Sequence, residues 1–165
     1  ATGAGAPSPL QAAGAPTHAP PTFDSLMAQS KTMQDSLGNL KNQIQTPNLT
    51  LKRSQERLLR NKLGDANNYI RGAATKLGAE TPAMKIPAHA GATEKLMAYI
   101  NDGQEKMVSI QQRLDEIMGS GQEIKPADMM LVQIKMGQAQ QELEYSSSIL
   151  GKLVDAMKQL FNIQL

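Results

Sequence analysis

Side chains able to do acid, base, nucleophilic or metal chemistry are few in this sequence, and their spacing does not assemble them. The two histidines, His18 and His89, lie far apart in Pro/Ala-rich stretches, and there is no cysteine. Neither pattern makes a metal site, a catalytic dyad or a thiol nucleophile. Asp115 with Glu116, and Glu142 with Glu144, are adjacent or two apart, so on a helix they do not face one another. A solvated face is their ordinary explanation. No glycine-rich phosphate loop or EF-hand loop is present. The tripeptide "NLT" at Asn48 matches a glycosylation acceptor. That short pattern recurs by chance, and no secretory signal peptide is visible to accompany it. The expectation is a protein that is not an enzyme and uses no cofactor, metal or small-molecule substrate.

What remains is packing chemistry. Aromatic residues make up 3% of the 165-residue chain and Trp is absent, so large rigid core anchors are scarce. Ten Met residues with Leu and Ile still form a core, and flexible Met suits adaptable surfaces. The net charge of +2 does not mark a nucleic-acid binder. The charge is uneven, however: Lys52, Arg53, Arg57, Arg60, Lys62, Arg71 and Lys76 face only Glu56 and Asp65 in their stretch. With only Tyr69 interleaved, it reads as a solvated basic face rather than a nucleic-acid surface. The longest purely aliphatic run, "MMLV" at Met129 to Val132, is far shorter than the ~18 residues of a membrane span.

Four regions position these residues. Residues 1–21, dominated by Ala, Pro and Gly with no charged side chain, form an expected disordered tail and a candidate export signal. Residues 22–78 hold two short helical segments. The first uses Leu26, Met33, Leu37, Leu40 and Ile44, with Thr22 as N-cap; the second starts near Asn48, uses Leu51, Leu58, Leu59 and Leu63, and weakens beyond Gly64. Residues 79–91 are a linker. Residues 92–165 are expected to form a long antiparallel helical hairpin. Its first helix carries Leu96, Ile100, Gly103, Met107, Ile110, Leu114 and Ile117 in one stripe that holds phase across the turn-like "NDG" at Asn101 to Gly103.

The last helix starts at Pro126, with Asp128 suiting its positive end. Met136, Ala139, Leu143, Leu150, Leu153, Val154, Met157, Leu160 and Phe161 share a stripe expected to pack on the stripe of the preceding helix. Met129, Met130, Leu131, Val132, Ile134 and Met136 surround the axis at its start. That end is expected to be buried on all sides, with neighbouring copies or a partner protein completing the cover. Opposite the stripe lie Gly137, Gln141, Glu144, Ser148, Gly151, Asp155 and Lys158. Gly137 and Gly151 each cost roughly 1 kcal/mol relative to Ala in a helix interior. Two readings fit them: a low-relief face with Gln141, Ser148 and Asp155 that lines a channel, or bend and close-contact points.

Pro126, Gln133, Lys135, Gln138, Glu142, Glu144, Ser147, Lys152, Ala156, Leu160 and Gln164, with hydrophobic residues between, make the end of the chain resemble the inner rod proteins of bacterial type III secretion systems. The ending "GKLVDAMKQLFNIQL" is also similar to that of the flagellar rod-base adaptor. The likeness covers about forty residues; the region before Ala92 has no counterpart in it, and Gly137 and Gly151 depart from the commoner residues. It implies an all-α structural subunit that assembles with neighbouring copies of itself and joins the export gate to the needle. The implied partners are the needle subunit, the export-gate membrane proteins and the secretin or basal-body ring. The implied place is the cell envelope inside the basal body, at periplasmic level, reached without a cleaved signal. Intersubunit packing would then fall to Met129, Met130, Val132, Ile134, Met136, Leu143, Leu150, Leu153, Val154, Met157, Leu160 and Phe161. The rival readings are a secreted effector or translocator-like helical protein, a cytoplasmic helical chaperone or regulator, and a membrane-surface protein using the basic, amphipathic Leu51 to Leu63 stretch.

Overall fold

The computed structural model describes residues 20–164, so most of the expected disordered tail lies outside the described residues. These residues are all-α, with no strand among them. Helix α1 spans Phe23–Ile44, α2 Arg53–Leu77, α3 Ala92–Ser120 and α4 Pro126–Gln164. The caps follow from local chemistry. Thr22 and Ser25 bond reciprocally, Ser25 N–H to Thr22 Oγ1 at 3.0 Å and Thr22 N–H to Ser25 Oγ at 2.8 Å. That closes the first turn of α1. Gly78 (φ 73°) and Gly121 (φ 68°) end α2 and α3 in the left-handed conformation that a side chain would disfavour.

The first two helices are not short, having 22 and 25 residues. Helix α2 begins at Arg53 rather than near Asn48 and runs unbroken past Gly64. Beyond that point Ala66, Ile70, Ala73, Ala74 and Leu77 keep the buried face apolar except at Asn67, and their burial outweighs the weak propensity of "DANNY". Helix α3 continues through "NDG", with Gly103 buried.

Helix directions follow from side-chain partners. Gln29 bonds to the Gln133 carbonyl, Ser36 to Gln140 and Gln43 to Ser147, each pair 104 residues apart, so α1 and α4 run parallel. Lys62 reaches Glu142 while Tyr69 lies under Lys135, so α2 and α4 are antiparallel. Asn67 meets Tyr99 and Asp102, and Leu77 meets Arg113, so α2 and α3 are parallel.

The expected hairpin packing of α3 on α4 is therefore corrected. Each helix lies beside two others: α1 beside α3 and α4, α2 beside α3 and α4. The sequential pairs α1–α2 and α3–α4 sit on the diagonals of a four-helix bundle. The physical reason is that α1 and α2 carry complete apolar stripes of their own, and this arrangement buries all four stripes in one core. Parallel α2 and α3 oblige residues 78–91 to return along the bundle. The run is about 30 Å, within the roughly 45 Å reach of fourteen extended residues.

Candidate assembly surfaces

Along α4 the buried positions are Met129, Val132, Met136, Ala139, Leu143, Ser146, Leu150 and Val154. Their spacing of three and four is the seam of a bundle helix. The start of α4 is not buried on all sides: Met130, Leu131 and Ile134 are exposed and form one contiguous outward patch. Among the described residues there are four helices, and none of them covers this side. At the other end, Leu153 and Met157 are half-buried, while Leu160 is 59% and Phe161 44% exposed. Ser147 is level with Gln43, one residue before α1 ends, and Lys62 of α2 is level with Glu142. Cover continues through Val154 and Met157, and from about residue 158 onward α4 outruns the bundle, by roughly 10 Å.

The expected stripe-face assignments divide in the same way. Gly137 and Gly151 turn to α1, while Gln141, Ser148 and Asp155 are exposed. Gln29 Nε2 donates to the Gln133 carbonyl at 3.1 Å and Gln43 Nε2 to the Ser147 carbonyl at 3.1 Å. Each accepting carbonyl lies four residues before one of the glycines, where a long side chain would cover it. A Cβ built on Gly137 would stand 3.9 Å from Gln29 Nε2, and one on Gly151 3.5 Å from Gln43 Nε2. The same device recurs in α3. Asn67 Nδ2 donates to the Tyr99 carbonyl at 3.0 Å, four residues before Gly103, whose Cβ would stand 3.0 Å from Asn67 Oδ1 and 3.1 Å from Leu37 Cδ2.

Four of the family-motif residues, Gln133, Lys135, Glu142 and Ser147, make contacts between helices. Lys135 lies 5.6 Å above the Tyr69 ring and lays its stem across Gly72. Glu142 reaches Lys62 at 3.3 Å, Glu144 accepts from Gln140, and the Ser147 hydroxyl donates to Gln43 Oε1 at 3.0 Å. Gln138 is half-buried, Pro126, Lys152 and Ala156 are exposed, and Gln164 ends the helix. The basic face of α2 is confirmed on the outside for Arg53, Arg57 and Arg71, but its apolar face lies in the core apart from Leu58. A membrane-surface role for that helix would thus have no apolar face to insert.

Sequence reasoning missed the cluster at Asp102, Lys106 and Asn67. Asp102 and Lys106 form an ion pair in which Lys106 is 0% and Asp102 3% exposed, and Asn67 Nδ2 bonds the same carboxylate at 3.0 Å. The other carboxylate oxygen, Asp102 Oδ1, has no partner among the described residues. The returning segment 78–91 passes beside Asp102. Lys85 and Pro87 close a cleft of about 330 Å³ with Met97, Ala98, Asn101 and Asp102. Buried charge of this kind stays paired because desolvating either ion alone is costly. The visible signal was only Asp and Lys four apart on the flank of the stripe.

At the end of the bundle opposite the α4 overhang, Phe23, Ile117, Met118, Ile124, Pro126 and Glu123 line a second cleft of about 530 Å³. His89 is exposed in the 78–91 segment, and the described residues hold no cluster of three or more potential metal ligands. No described helix is long and apolar enough to cross a membrane. Comparison with protein-family models, curated proteins and solved structures finds no match.

Proposed function

We propose that this chain is a structural subunit of a type III secretion needle complex, an inner rod protein that joins the export gate to the needle. The residue pattern from Pro126 to Gln164 supports the family. The observation that carries an assembly role is α4 itself: Leu160 and Phe161 beyond the bundle, and Met130, Leu131 and Ile134 on its start, are exposed apolar surfaces that no other described residue covers. Surfaces of this kind favour a partner over solvent. Its partners would be further copies, the needle subunit, the export-gate proteins and the secretin or basal-body ring.

Met136, Leu143, Leu150 and Val132 are core residues of the single chain, so charging them would unfold it and report nothing about assembly. Met130→Asp with Ile134→Asp is the informative variant, since both positions are exposed. It should keep its helical signal and melting temperature yet fail to co-purify with detergent-extracted needle bases, with secretion lost. Continued co-purification and secretion would remove this surface from the assembly. A second reading, a secreted effector or translocator-like protein, draws on the outward Arg53, Arg57 and Arg71. It predicts release into the medium in quantity and absence from purified bases.

A further inference from the structure

The two ends of α4 differ in a complementary way. Its last turns leave the bundle as a bare helix with Leu160 and Phe161 exposed. Its first residue, Pro126, belongs to the cleft that Phe23, Ile117, Met118 and Ile124 line at the far end. Charge follows the same polarity. Toward the tip lie Lys152 and Lys158 against Asp155, all exposed. Glu123 lines the cleft, Asp24 follows Phe23 and Asp128 lies two residues after Pro126 in the chain, against Lys125.

We infer that copies of this chain dock head to tail, the α4 tip of one seated in the Phe23–Met118–Ile124 cleft of the next. The inference rests on the assembly reading and deepens it by naming the two surfaces and their occupant. A cleft of about 530 Å³ holds the Leu160 and Phe161 side chains together, and Lys158 then faces the Glu123 rim. Tip and cleft are different surfaces at opposite ends, so the contact is heterologous and repeats without closing unless the rotation happens to form a ring. Successive α4 helices follow one another along the assembly, one α4 length of about 58 Å at a time. Two apolar anchors are few against the cost of association. The contact is accordingly weak in dilute solution and is captured by trapping rather than by size.

The chain has no cysteine, so introduced thiols report without background. A Met118→Cys copy mixed with a Leu160→Cys copy under mild oxidation should give a mixed disulfide dimer. A chain carrying both should give a ladder of oligomers, because tip and cleft of one copy lie too far apart to bond each other. Adding Phe161→Asp to the Leu160→Cys copy should slow trapping about tenfold or more. The inference is overturned if Leu160→Cys couples no faster to Met118→Cys than to Ser54→Cys on the bundle flank. Preferred tip-to-tip dimers overturn it too, as does capture of Met118→Cys by a Leu10→Cys thiol of its own chain. A ladder with secretion untouched by Phe161→Asp would keep the docking and remove the rod assignment. No ladder, with the protein still co-purifying with needle bases, would do the reverse.

Discussion

At the scale of single residues, space and charge make opposite demands on neighbouring positions of α3. Gly103 sits where Asn67 is fixed by two hydrogen bonds and Leu37 is fully buried, so neither can yield to a methyl group. Gly103→Ala should therefore destabilise by about 1–2 kcal/mol in chemical denaturation despite its better helix propensity. Gly38→Ala, with nothing within 4 Å of the new Cβ, should stabilise by about 0.5–1 kcal/mol. One residue before Gly103, Asp102 depends on Lys106. Lys106→Met keeps the bulk but strands a buried carboxylate, and should cost about 3–5 kcal/mol. Adding Asp102→Asn to that variant should recover most of the loss, which a urea midpoint series reads directly. Without recovery, the damage lies in packing rather than in unpaired charge.

At the scale of elements, the α1–α4 seam explains why a good helix keeps Gly137 and Gly151. Both lie where a parallel neighbour sends a glutamine amide to the backbone, and midway between those two contacts Gln140 bonds to Ser36. Gly151→Ala, whose Cβ meets Gln43 Nε2 at an ordinary 3.5 Å, should be close to neutral. Gly151→Leu should displace the Gln43 amide from both of its Ser147 bonds and cost about 1–2 kcal/mol net. Equal melting temperatures for the two variants would show that the amide contact contributes nothing. Much of this scale was legible in the sequence: the Thr22 cap, the Pro126 start, the α3 stripe through Gly103, and the stripe of α4 as far as Val154. The pairing was not. Stripe positions state which face of a helix is buried and leave open which helix buries it. That choice rests on polar residues beside the stripe, Gln29, Gln43 and Asn67, whose partners are distant in sequence. The ion pair at Asp102 escaped for the same reason, since charge four residues apart on a helix is usually solvated.

At the scale of the whole molecule, every side-by-side helix contact crosses between residues 20–77 and residues 92–164. Segment 78–91 is the only covalent tie, and Lys85 within it is exposed. Limited trypsin should cut there before it cuts in any helix, and the nicked protein should stay one particle with a single melting transition. Residues 22–78 and 92–165, produced separately, should each lose cooperative melting and regain it on mixing. A half that melts cooperatively alone would contradict the diagonal arrangement. The distribution of contacts has a further consequence for a chain that leaves a narrow conduit end first. With α1 and α2 each paired only to α3 and α4, neither can bury any of its stripe until α3 has followed, and the core is complete only with the last helix. Completion of the core is deferred by topology alone, so a chain threaded end first would close its four-helix bundle only after α4 is free.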